Sequence, residues 1–302
     1  MTDAPREIEE RAATSAKEFW DLLSPEKPLF PAPCELLYRG QADAAWGLEP
    51  SILRPPENRI GVWGAGGVVA SDIQVFKEWV YLKSFVDHCD SIGLPIPNDS
   101  TEFRDLFLNQ NAPSGPGGAF RRTGLWPHEK LFGLLALAQH HGLPTRLLDW
   151  SKRSYVAAYF AISGALEGEH LEREHSGRLA VWVLNVTRPS HLPRLEIIKV
   201  PGSNSPNVAA QAGAFTLLRQ EGGRGQPFEG DIALDRYLLG LNSHVPLPLL
   251  KVTLPVSEAK QALALCALYG ITGATLFPDF YGAARGARDI MRTAWRLETP
   301  AD

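Results

Sequence analysis

The chain has 302 residues, of which 44% are hydrophobic and 21% charged, with a formal net charge of −4. That is enough apolar material for a sizeable core in one large domain or two modest ones, and too little net charge for a global field directed at nucleic acid or membrane. Cys34, Cys89 and Cys266 lack any metal or disulfide spacing, the acidic N-terminal stretch lacks a secretory core, and no apolar run reaches membrane-spanning length, so the expectation is a soluble, cytoplasmic protein with reduced thiols and no membrane partner.

Taken in chain order, Ala13 to Leu23 predicts a short helix with Phe19, Trp20 and Leu23 on one stripe, ended by the proline-rich SPEKPLFPAPC. ELLYRGQ reads as a short strand stopping at Gly40, and WGLEPSILRP as a second extended piece. The glycines of GVWGAGGVV fit a loop. A long helix follows over SDIQVFKEWVYLKSFVDHCDSIG, capped by Ser71 or Asp72, with Ile73, Phe76, Val80 and Phe85 at helical spacing. Asn109 to Gly124 reads as a loop, either a surface excursion or a lid, carrying Arg121 and Arg122. From Pro127, HEKLFGLLALAQHHG is a helix closed by Gly142; PTRLLDWS is extended; SYVAAYFAISGALEG is helical, and EGEHLEREH is its solvated tail.

The second half changes character. GRLAVWVLNV, LEIIKVP, GAFTLLR, LLKVTLP and GATLFP are apolar or β-branched runs between turn residues. SEAKQALALCALYG reads as a helix capped by Ser257, and GAARGARDIMRTAWRL as a final helix. The implied fold class is α+β, with a curved, mostly antiparallel sheet in the C-terminal half and helices concentrated in the N-terminal half. The expected division is an N-terminal helical extension over residues 1–30 and a single domain over 31–298, with a helical and loop insertion over 70–126.

Four clusters carry candidate chemistry. His140 and His141 are adjacent, point about 100° apart on a helix and have no HExxH partner, which argues against a metal. A polar helix end competes here with a functional role for one imidazole. In TRLLDW, Arg146 and Asp149 fall on opposite faces of a strand, so they do not pair by default. Asp149 is a credible cap for a helix starting near Ser151, and Arg146 would then pair with another carboxylate. In LLYRGQ, Arg39 ends a strand, Gly40 allows close backbone approach and Gln41 offers an amide fork. Arginine suits bidentate phosphate binding, while an ordinary salt bridge is the favoured alternative for this fragment alone. Gln211 precedes a strand among small residues, and Asp279 suits the cap of the last helix.

These pieces resemble something known. YRGQ (Tyr38 to Gln41), AQHHGLPTRLLDWS with AAYFA (Ala138 to Ala161), AQAGAFT (Ala210 to Thr216) and LFPDFYGAAR (Leu276 to Arg285) are similar to the FRG domain, a bacterial and phage family. The resemblance runs from about Glu35 to Trp295. The motif order also resembles, more distantly, the Arg-Ser-Glu class of ADP-ribosyltransferases. That class has Tyr-Arg-Gly on a first strand, a Ser-Thr-Ser strand leading into a helix ending Ala-x-x-Phe-Ala, and a glutamate before a late strand. Asp149-Trp150-Ser151 stands in place of Ser-Thr-Ser, and Gln211 near the place of the glutamate.

The second resemblance implies NAD as substrate, with no metal. Arg39 would hold the pyrophosphate and His140 or His141 with Gln211 the ribose. Asp149 or Asp279 would supply the charge that Gln211 lacks, and Tyr38, Trp150 and Tyr159 are candidates for the nicotinamide wall. The implied catalytic set is Arg39, His141, Asp149 and Gln211. The implied ligand-binding set is Tyr38, Gly40, Gln41, His140, Arg146, Trp150, Ser151 and Tyr159. The implied activity is modification of a macromolecular acceptor, protein or nucleic acid, by a toxin or phage-defence effector with an antitoxin or defence-system partner. Two alternatives stand beside it: a non-catalytic nucleotide- or partner-binding module, and a metal-independent nuclease using His141 and Asp149.

Overall fold

The computed structural model describes residues 6–31, 33–54, 70–108, 116–167, 177–200, 206–241 and 246–294. Its strands are β1 (Glu9–Ala12), β2 (Leu36–Gln41), β3 (Leu148–Ser151), β4 (Arg178–Asn185), β5 (Leu195–Ile198), β6 (Gly213–Leu218) and β7 (Leu249–Pro255). They form one sheet in the order β1-β7-β4-β2-β3-β6-β5, with β1 parallel to β7 and every other pair antiparallel. The class is therefore α+β with a mixed sheet. Contrary to the expected segregation, β1, β2 and β3 come from the N-terminal half of the chain.

Around the sheet lie α1 (Ala16–Leu22), α2 (Ser71–Ser91), α3 (Thr101–Leu108), α4 (Pro116–Arg121), α5 (Phe132–His140) and α6 (Ser154–Ala165). After them come α7 (Pro206–Ala210), α8 (Leu234–Leu239), α9 (Ala259–Leu268), α10 (Gly273–Leu276) and α11 (Phe280–Ala294). The interior strand β4 is apolar almost throughout because both its faces are covered. Val181 and Val183 meet α6 and α9 on one face, while Trp182 and Leu184 meet α8 on the other. A third apolar cluster joins α2 and α5 to Phe215 and Leu217 of β6.

Several local readings change. WGLEPSILRP holds a 3-10 turn over Ser51–Leu53 rather than a strand. Part of the anticipated 109–124 loop is α4, and residues 109–115, with GVWGAGGVV and most of EGEHLEREH, lie outside the described residues. GATLFP contains α10, because the Thr272 hydroxyl accepts from the Thr275 amide and the Thr275 hydroxyl from the Thr272 amide, closing a capping box. Ser257 sits inside a 3-10 turn, Val256–Glu258, and caps nothing. The buried stripe of α2 runs through Val75, Trp79, Leu82 and Val86; of the four expected residues Phe85 packs against it partly buried, while Ile73, Phe76 and Val80 are exposed. Asp279 does cap α11, accepting from the Gly282 amide at 2.8 Å.

Candidate functional site

The site begins where the sheet splits. β2 and β3 share a single register pair, Tyr38 with Ser151. Beyond it the strands part, and the Arg39 guanidinium bridges the gap. Its Nη1 donates to the Asp149 carbonyl at 2.8 Å and lies 2.7 Å from Asp149 Oδ1. Strand alternation turns Tyr38 and Gly40 the other way, toward α6. Gly40 gives the close approach anticipated for it, but the approaching backbone is α6 itself, since a Cβ there would lie 2.0 Å from the Ala157 carbonyl oxygen.

Asp149 is held from a second side by Gln139, whose Nε2 donates to Oδ1 at 3.1 Å while its Oε1 accepts from the Thr145 hydroxyl. It does not cap α6, which starts at Ser154 with Arg153 in the cap position. The carboxylate keeps 63% of its accessible surface yet sits at the foot of a protein-walled cleft. Desolvation there pushes its pKa up, but the Arg39 charge and hydrogen bond, its own backbone amide and the Arg54 charge prevail and hold it below the ordinary 3.8. Arg54, whose Nε donates to the Glu49 carbonyl at 3.1 Å, is in turn lowered by burial and by the neighbouring Arg39.

The resulting cleft has a volume of about 540 Å³. One wall is Arg39 to Ala42 with Trp46 and Arg54; the other is a face of α6 presenting Phe160, Gly164 and, just past its end, Glu167. Sequence reading passed over Glu167 as part of a solvated tail. The available signal is spacing: Gly164 and Glu167 follow Phe160 by four and seven residues, which puts all three on one helical face. Glu167 is fastened through Oε1, which accepts from the Ser163 hydroxyl at 3.4 Å and lies 3.2 Å from Arg285 Nη2 and 3.7 Å from Arg292 Nη1.

The remaining sequence candidates divide between other places. Gln41 borders the cleft, but its Oε1 accepts from the Trp182 indole at 2.6 Å and its Nε2 donates to the Gly47 carbonyl. His140, His141, Ser151 and Gln211 gather near α7 and α10. His140 contacts Asn207, its ring stands edge-on to exposed His141, and burial followed by the His141 charge lowers its pKa against the pull of Asp279. Gln211 donates to the Leu276 carbonyl at 3.1 Å and its own carbonyl accepts from Ser151 at 2.7 Å. Trp150, Tyr159 and Arg146 are interior: Trp150 donates to Thr216, Tyr159 donates to Asp289, and Arg146 pairs with Glu78. Arg146 is therefore a core residue rather than a cleft residue. Among the described residues no group of three or more potential ligands is arranged for a metal ion, and no helix is long and apolar enough to cross a membrane.

Residues 114–170 match the FRG domain. The match supports the FRG family and contains Gln139, Asp149, Phe160 and Glu167, but Arg39 reaches the FRG segment from 110 residues upstream of Asp149. No curated protein and no solved structure matches the chain.

The lowered carboxyl fixes a pH dependence. A group whose folded pKa is depressed contributes stability above its unfolded value and loses that contribution as pH falls through the folded one. The stability difference between the wild type and Asp149→Asn is therefore expected to be present at neutral pH and to close below about pH 4. Urea melts at neutral and acid pH check this, and a difference that persists in acid overturns it.

Proposed function

We propose that the cleft binds NAD and that the chain is an ADP-ribosyltransferase-like enzyme of the toxin or phage-defence kind, acting on a macromolecule. The observation that carries this reading is the pair of guanidiniums, Arg39 and Arg54, gathered around Asp149 in one open cleft. Two planar cations suit a pyrophosphate, since each presents a fork of donors matched to phosphate oxygens. Trp46 is 39% exposed at the rim and, with Phe160, offers an aromatic wall for a base or the nicotinamide. The volume lies within the range of roughly 300–1,000 Å³ common for small-molecule sites.

In the reaction, the bond between the ribose anomeric carbon and the nicotinamide nitrogen breaks, and its electron pair leaves with nicotinamide. The ribosyl cation that develops is stabilised by a nearby carboxylate, and the acceptor nucleophile forms the new bond as it loses its proton. Asp149 is the carboxylate proposed for that role. Its Oδ1 is engaged by Arg39 and Gln139, and Oδ2 takes no part in those contacts.

A second reading, a nucleotide-binding module without turnover, draws support from the same carboxylate. Asp149 is already ion-paired, and Gln211, the residue standing near the place of a catalytic glutamate, is tied to the α10 carbonyl of Leu276. Calorimetry with NAD and measurement of released nicotinamide separate the two. The enzyme reading expects binding, release, and at least a roughly tenfold loss of affinity in Arg39→Ala, matching the loss of a charge-assisted contact. Binding without release establishes the module instead; neither binding nor release overturns both.

A further inference from the structure

Glu167 is a carboxylate held where a carboxylate is unfavourable. It follows the last turn of α6, its amide donating to the Gly164 carbonyl at 3.2 Å, and so stands at the negative end of the helix dipole. Two guanidiniums from α11 offset that cost: Arg285 Nη2 lies 3.2 Å and Arg292 Nη1 3.7 Å from Oε1. Both cations are themselves fixed. Arg285 donates to the Ser163 hydroxyl at 2.8 Å and lies over the rings of Tyr159 and Phe277. Arg292 pairs with Asp289 at 3.3 Å, and Asp289 accepts from the Tyr159 hydroxyl at 2.6 Å. The arginine side chains are 9% and 21% exposed, whereas the Glu167 side chain keeps 39% of its surface and forms part of the cleft wall. The cations are thus the interior partners and the carboxylate is the one presented to the cleft. Anchored through one oxygen and accessible beyond it, such a group is a preorganised acceptor for ligand hydroxyls.

We propose that Glu167 accepts a hydrogen bond from the 2′-hydroxyl of the adenosine ribose, and that it thereby makes the cleft select NAD over NADP. This role rests on the assignment of NAD to the cleft. There the arginine pair takes the pyrophosphate and Asp149 the nicotinamide ribose, which leaves the α6 wall to the adenosine half. Phe160 lies on the same helical face as Glu167, so a base against its ring sets the attached ribose along that face. An anionic acceptor takes a hydrogen bond from a hydroxyl but repels the phosphate that NADP carries on the same oxygen. An acidic residue that meets the ribose 2′-hydroxyl marks NAD sites in dinucleotide-binding folds, while an arginine accommodates the 2′-phosphate of NADP. Here both groups are present in one place. With Glu167 in position, Arg285 and Arg292 are neutralised by it; without it, the same two guanidiniums form a phosphate site.

Calorimetry of NAD and of NADP against the full chain tests this role. The wild type is expected to bind NAD at least roughly tenfold more tightly than NADP, the effect of exchanging a charge-assisted hydrogen bond for a repulsion. Glu167→Gln keeps an acceptor oxygen without the charge, so NAD affinity should fall little while the preference narrows. Glu167→Ala bares Arg285 and Arg292 to the ligand, and the preference should invert toward NADP. The ratio of the two affinities is the readout, because a variant that merely loosens α6 or α11 weakens both ligands together. Equal binding of the two nucleotides by the wild type, or a wild-type ratio retained in Glu167→Ala, overturns the role of Glu167 and leaves NAD as the ligand of the cleft. Binding of neither nucleotide by the wild type overturns both.

Discussion

Glu78→Ala is expected to cost about 3–5 kcal/mol, the usual effect of removing one partner from a buried ion pair. Glu78 and Arg146 are both interior, with side chains 5% and 1% exposed, and they meet through two contacts, Nε to Oε2 at 2.7 Å and Nη2 to Oε1 at 2.8 Å. The same carboxylate accepts from the Trp126 indole at 2.9 Å and from Gln74 at 3.0 Å. Removing it strands a guanidinium that, among the described residues, keeps the face of Phe228, 5.3 Å away, as its remaining cation–π partner. It also leaves a buried indole N–H without an acceptor, for which about 1–3 kcal/mol is the ordinary penalty. Against a total stability of about 5–15 kcal/mol, such a loss puts a large fraction of the chain near unfolding. Thermal melts are expected to shift down by roughly 10 °C, given about 2–4 °C per kcal/mol for domains of 150–250 residues. Glu78→Gln preserves shape but not charge and should recover little. The double replacement Glu78→Leu/Arg146→Met removes both charges together and should recover most of the loss, since an apolar pair of similar volume often substitutes for a buried ion pair at no net cost. A single Glu78→Ala change that melts like the wild type would show that the pair contributes nothing to the α2–α5 cluster.

That ion pair also marks the limit of what the sequence discloses. Arg146 was readable as a residue seeking a carboxylate, but Glu78 lies 68 positions away inside a helix with two overlapping apolar stripes. Nothing in periodicity separates the stripe through Ile73, Phe76 and Val80 from the one through Val75, Trp79 and Leu82. The choice is made by tertiary partners, the Arg146 guanidinium and the Trp126 indole, which require Glu78 to face inward. β1 was illegible for a related reason: Glu9–Ala12 is polar and joins the sheet at an edge, through backbone pairing with β7 rather than through apolar side chains. α10 was misread because Ala-Thr-Leu-Phe suits a strand, and the deciding contacts are a threonine capping box and the close passage of Gly273 against Gly286 of α11.

By contrast β2, β4, β6 and β7 were legible, since buried strands need continuous apolar runs bounded by turn residues. In the cleft, Arg39 and Asp149 were legible as individual charges beside apolar runs. Their meeting was not, because the parting of β2 from β3 that brings them together has no local sequence signature. Glu167 was hidden by its acidic surroundings, and its fastening residues, Arg285 and Arg292, come from the far end of the chain.

The second large effect is expected at Gly40, where addition of one methyl group should damage fold and cleft together. The position needs no unusual backbone angle; its constraint is steric. An alanine Cβ would lie 2.0 Å from the Ala157 carbonyl oxygen, 2.6 Å from the Ala161 amide nitrogen and 3.1 Å from the Ala157 carbonyl carbon. All three are backbone atoms of α6, so no side chain can rotate away and the whole helix must lift from β2. Overpacking of a core ordinarily costs about 1–3 kcal/mol, and displacement of two backbone elements belongs at or above the top of that range. β2 carries Arg39 in the adjacent position, so the shift also pulls the guanidinium from Asp149 and separates the two walls of the cleft. Gly40→Ala is therefore expected to lower the urea midpoint markedly and, in whatever fraction remains folded, to lose NAD binding in parallel with Arg39→Ala. Gly164→Ala supplies the comparison. It lies on the same face of α6, but among the described residues its added Cβ would meet just the Ala42 methyl group, at 3.3 Å. There the gain of roughly 0.5–1 kcal/mol from replacing a helical glycine offsets a contact that a few tenths of an ångström can relieve. Near-wild-type stability in Gly164→Ala beside a severe loss in Gly40→Ala would locate the constraint in the β2–α6 backbone contact. Equal effects at the two sites would mean that α6 rides on β2 more loosely than these distances require, and that Arg39 owes its position to the ion pair alone.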